Sequence, residues 1–168
     1  MPPGIGVSFR LPPPVFGVGL IEAIPEEEIL SREDPLDADG DGISGRANRV
    51  TLPEWLPSWE RPAGAAPRVG RFTRRGRVAS VFQQVAEAYL NDIGITTDLL
   101  VTETRNLAAS VPTTSFDRVA DPELPLAVVE QVTFYLRTLA PPEPGPMTAA
   151  RERGQALFHE TGCAACHT

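Results

Sequence analysis

Hydrophobic positions recur at helical spacing in two stretches, and polar or proline-rich sequence separates them. Between residues 78 and 93, Val78, Val81, Phe82, Val85, Tyr89 and Ile93 fall on one stripe of an α-helix, and Gly94 ends it. Residues 123–139 repeat the pattern: Pro125 stands near the start, Val128, Val129, Val132, Tyr135, Leu136 and Leu139 line one face, and Pro141-Pro142 stops the run. A third helix is predicted over 149–160, with Thr148 as its cap. Val18 to Ile24 reads as a short helix, and Glu26 to Leu30 as a helical turn whose carboxylates suit an N-terminus. Thr96-Thr97-Asp98 is expected to cap the turn after it, and Asn106 to Ser110 to form a helical turn before Pro112. No stretch carries a strong strand pattern, and no internal repeat is visible. The expected class is mainly α with long Pro/Gly-rich loops.

Composition and charge refine this picture. A chain of 168 residues with 42% apolar content can bury one core, and its 18 prolines stiffen long connections between short elements. No apolar run reaches membrane-spanning length. The net charge of −7 argues against nucleic acid as a partner. All 15 basic residues are arginine, and five of them (Arg68, Arg71, Arg74, Arg75, Arg77) fall within ten positions. That cluster reads as an anion-pairing or docking patch, or as a solvated turn. Trp55 and Trp59 lie in a Pro-rich loop, where such residues pack or relay electrons.

The chemistry concentrates at the end. Cys163-Ala-Ala-Cys166-His167 is Cys-x-x-Cys-His, the attachment signature of a c-type haem. Two thiols three residues apart reach one porphyrin edge, and the adjacent imidazole reaches the iron. Gly154, Leu157 and Phe158 precede the motif at the spacing of a cytochrome c first helix. Two other chemistries use the same atoms. A redox dithiol wants a strand before and a helix after it. Zinc held by Cys163, Cys166, His159 and His167 would force Cys166 and its neighbour His167 onto one tetrahedron.

A second constellation is Asp37, Asp39, Asp41, Gly42 and Ile43, the first half of an EF-hand-type calcium loop, with Asn48 in the twelfth position where a bidentate Glu would stand. Alternate oxygens converge on a hard cation, and the Ile43 carbonyl is a further ligand. The other reading is a metal-free Asx-turn loop.

Taken in order, these segments resemble the dihaem oxidoreductase, peroxidase-type family, also labelled thiol oxidoreductase and related to bacterial dihaem cytochrome c peroxidases. The resemblance rests on Pro12 to Pro25, Asp34 to Arg46, Val69-Gly70-Arg71-Phe72, Gln84 to Thr96, Leu139 to Pro142 and the terminal motif. It implies a c-type cytochrome-like fold of dihaem peroxidase type with covalent haem c at Cys163 and Cys166, and His167 as ligand to the haem iron. It also implies a small electron-donor protein as partner and hydrogen peroxide as substrate. Where the family pattern has Gly-Trp-Lys, this chain has Thr73-Arg74-Arg75, so an aromatic relay at that position is missing and Trp55 or Trp59 would replace it.

The domain reading is an inter-haem region over 1–145, holding the Asp-rich loop and two core helices, and the start of a second cytochrome c domain over 146–168. Met1-Pro-Pro-Gly lacks the charged start and apolar core of a signal peptide. The expectation is therefore an interior piece of a longer, exported, periplasmic protein, with another haem motif before Met1, a distal ligand after Thr168, and no catalysis by the piece alone. Two alternative functions are a non-enzymatic cytochrome c electron carrier and a calcium-stabilised structural domain.

Overall fold

A computed structural model describes residue 9 and residues 11–64, 66–104 and 118–167. Its elements in chain order are helices α1 (Val18–Ala23) and α2 (Glu26–Leu30), strands β1 (Arg49–Val50) and β2 (Arg68–Val69), and helices α3 (Val81–Ile93), α4 (Leu126–Thr138) and α5 (Ala149–Glu160), followed by a 3-10 turn at Cys163–Ala165. Five helices and one two-stranded antiparallel sheet, paired Arg49 with Val69 and Val50 with Arg68, make the described residues mainly α. The expected turn at 106–110 lies outside the described residues.

Helix α3 forms the centre. The Ser80 side chain accepts the Gln83 N–H at 3.2 Å and opens the helix. Gly94, at φ 71°, closes it: its own N–H reaches the Leu90 carbonyl and the Ile95 N–H reaches the Tyr89 carbonyl. Val81, Phe82, Val85 and Ala86 are buried against Leu52, Leu56, Phe72 and Val129. The valine, leucine and phenylalanine side chains each contribute roughly 1.5–3 kcal/mol on leaving water. The helix starts three residues later than the periodicity predicts. Val78 is buried, but in an antiparallel bridge with Phe72 rather than in the helix. Ile93, at the other end of the predicted stripe, is exposed.

Helix α4 packs on α3 and on α1. It buries Val129 and Thr133, while Phe134 and Tyr135 face outward. The predicted face included Tyr135 and omitted Thr133. Thr133 turns inward because its hydroxyl donates to the Val129 carbonyl at 2.7 Å, which satisfies the one polar group it buries. Asp98 caps α4 from a distance, its Oδ2 accepting the Leu126 N–H at 2.7 Å. The capping potential of Thr96-Thr97-Asp98 is thus used partly on a helix nearly thirty residues downstream.

Helix α1 lies against the end of α4 so closely that a Cβ on Gly19 would overlap the Arg137 carbonyl. Helix α5, capped by Thr148, buries none of its residues, and its principal contact is the 3-10 turn that follows it.

Candidate functional site

The turn after α5 gathers the three residues of the terminal motif. Gly162, at φ 80°, breaks the helix, and a left-handed residue is needed there to reverse the chain. The Cys166 and His167 N–H groups then both bond the Cys163 carbonyl, at 3.3 and 3.0 Å. One tight turn therefore carries Cys163, Cys166 and His167. Both thiols are free and exposed, and the Thr161 hydroxyl lies 3.4 Å from the Cys163 sulfur. The Phe158 ring is tilted against the His167 ring with centroids 6.3 Å apart, and stands edge-on to His159 at 6.0 Å. Leu157 and Phe158 keep about two-fifths or more of their surface in water.

Two soft donors and one imidazole on an exposed turn, beside uncovered apolar side chains, fit a porphyrin. The thiols match thioether attachment, the imidazole matches iron, and Leu157 and Phe158 supply an apolar face for the ring.

A family model described as "Di-haem oxidoreductase, putative peroxidase" matches residues 4–168. The chain belongs to this family. No curated protein and no solved structure matches it. Membership implies haem binding. Within residues 1–168, Cys163 and Cys166 are the two cysteines, and Cys163 to His167 is the one Cys-x-x-Cys-His.

The Asp-rich loop is organised by its own backbone. Asp34 accepts the Ala38 N–H at 2.9 Å and the Asp39 N–H at 3.3 Å; Asp37 accepts from Gly42, Asp39 from Asp41, and Asp41 from Ile43. The carboxylates that come together are Asp34, Asp37 and Asp39, with oxygens within 4.8 Å of one another. Asp34 was not in the sequence-derived ligand set, although the Asp-Pro pair flags it as a turn residue. Asp41 turns to Ile43. Asn48 directs its amide to the Arg75 and Gly76 carbonyls at 3.0 and 2.9 Å. Backbone N–H groups, with the Ala38 N–H foremost, hold the Asp34 carboxyl below the usual carboxylate range.

Sequence reasoning missed a polar hub. Glu22 on α1 accepts the Val81 N–H at the start of α3 (2.8 Å) and two bonds from Arg137 on α4. Arg137 also reaches Glu60 at 3.0 Å. Its hydrogen bond to Glu22, with further help from Glu60, raises its pKa well above the ordinary arginine value against the effect of burial. Arg71 donates to the carbonyls of Ile21, Glu22 and Ile24, which closes the end of α1. These groups line a cavity of about 240 Å³ with Trp59 at its edge. Trp55 packs on the core, whereas Trp59 is largely exposed. No local sequence pattern announces the hub, because its members are brought together only by tertiary packing.

Proposed function

We propose that this di-haem oxidoreductase carries one of its haems on the turn 163–167, as haem c bound through thioethers to Cys163 and Cys166 with His167 ligating the iron. The observation that carries this reading is the placing of two free thiols and an imidazole on one exposed turn beside Leu157 and Phe158. A bound haem c supplies one-electron redox chemistry at its iron. The protein's own contribution is positional. Gly162 sets the direction of the turn, the Cys163 carbonyl fixes the backbone of Cys166 and His167, and the Phe158 ring lies beside the His167 ring.

In this reading the protein acts as a peroxidase in the periplasm or another exported compartment, reducing hydrogen peroxide with electrons from a small redox protein. The second haem is held by polypeptide other than the Cys163–His167 turn, and residues 1–145 form the region between the two. Among the described residues no helix is long and apolar enough to cross a membrane. Peroxide consumption by the protein matured with both haems, followed by oxidation of a reduced cytochrome, tests the reading. Turnover supports it; a fully haem-loaded protein with no turnover removes the peroxidase activity.

A further inference from the structure

The arginine-rich segment is built into a rigid turn with its charges pointing outward. Its two ends are anchored in the core: Phe72 and Val78 are buried and paired, with the Arg71 and Phe72 N–H groups on the Val78 carbonyl at 2.8 and 3.0 Å. Gly70 and Gly76 cross so closely that a Cβ on Gly70 would overlap the Gly76 carbonyl. Asn48 ties down the carbonyls of Arg75 and Gly76 from the other side. Thr73 sits at φ 68°, a left-handed conformation that strains a non-glycine residue. A merely solvated loop needs none of this.

What the turn presents is unneutralised charge. Arg74, Arg75 and Arg77 are exposed, and none pairs with a carboxylate among the described residues. Arg32, Arg49, Arg68 and Arg137 all do. Arg74 instead bonds the Leu11 carbonyl at 3.2 Å, which fastens the extended arm 11–16 beside the turn. That arm exposes Leu11, Val15 and Phe16. In a chain of net charge −7, three neighbouring arginines next to an uncovered apolar arm make a local inversion of sign.

We propose that the turn 73–77 and the arm 11–16 form a docking surface for the acidic face of a small redox protein. Charge complementarity selects the occupant. Like charges held together repel one another, and an acidic face relieves that repulsion while the apolar arm gives short-range contact. Small, charge-steered interfaces of this kind are typical of transient redox encounters. The redox nature of the partner rests on the function proposed above; the acidic docking surface does not.

The test uses the full chain immobilised on a sensor surface, with acidic flavodoxin as the probe. Basic cytochrome c and anionic phosphatidylglycerol vesicles serve as comparisons. Flavodoxin binding is expected to weaken with salt and to fall on the order of tenfold in R74S/R75S/R77S. R75S/R77S spares the Arg74 bond to the arm and is expected to lose affinity in the same direction with an unchanged circular dichroism spectrum. Equal flavodoxin binding by wild type and both variants overturns the proposal, as does stronger binding of cytochrome c or of vesicles than of flavodoxin. Haem content is read separately from the pyridine spectrum. Flavodoxin binding by a chain that takes no haem supports the docking surface and removes the redox function. A haem-loaded chain with no flavodoxin binding overturns the docking surface alone.

Discussion

Glu22 and Arg137, 115 positions apart in sequence, meet in a two-point bridge at 2.5 and 3.0 Å. The same carboxylate holds the first N–H of α3, so one side chain joins α1, α3 and α4. The bridge is partly exposed, and solvent screening reduces its worth below that of a buried pair. R137A is expected to cost about 2 kcal/mol, read as a lower urea midpoint with unchanged slope. R137K keeps the charge but not the two-point geometry, and should recover less than half of the loss.

Gly19 sets how close α1 comes to α4. A methyl group there would meet the Arg137 backbone rather than a flexible side chain, so the helices must separate. G19A should cost about 2–3 kcal/mol, although alanine is the better helix former. A stabilised G19A in thermal unfolding would show that the close approach is absent.

Acid stability should depend on Asp34 and Glu26. Backbone N–H groups, led by Ala38, hold the Asp34 carboxyl low. For Glu26, desolvation pushes upward but is outweighed by the Arg68 and Val69 hydrogen bonds, so it too is lowered. Both groups bind protons more weakly folded than unfolded. Their stabilisation is therefore present above the ordinary carboxylate pKa of about 4 and is lost as pH falls below it through the folded values. D34N should flatten the acid limb of the stability–pH curve while leaving neutral stability lower. An unchanged acid limb would contradict the loop geometry.

Asn48 should matter through the arginine turn. N48A leaves two carbonyls without their donor and is expected to cost about 1 kcal/mol. It should also raise hydrogen exchange at residues 73–77 more than at 81–93.

Much of the fold was legible because helices announce themselves locally. The spacing of Val81, Phe82 and Val85 gave α3, Gly94 its end, Pro125 the start of α4, and Thr148 the cap of α5. The errors have physical causes. Val78 is as apolar as its neighbours, and only its partner Phe72 decides that it is not helical. Thr133 is polar by type, yet its local bond to Val129 lets it replace Tyr135 on the inner face. The strands are two residues long, too short for any alternation to register. At the turn proposed to carry haem, Cys163, Cys166 and His167 were readable because the motif is contiguous. The Glu22–Arg137–Glu60 hub and the joining of Asp34 to Asp37 and Asp39 were not, since each depends on the folded chain.

Leu157 and Phe158 should protect the bound group. F158A removes the ring beside His167 and is expected to shift the Soret band and speed haem oxidation on exposure to air, while both thioethers remain. Identical spectra and stability in F158A would place the haem away from this helix.

The most direct measurement is made on the chain matured in an export-competent host that attaches haem c. The expected result is an alkaline pyridine spectrum of the thioether-bound type and an intact mass raised by one haem, both lost in C163S/C166S. A wild-type chain with neither the spectrum nor the added mass would contradict it.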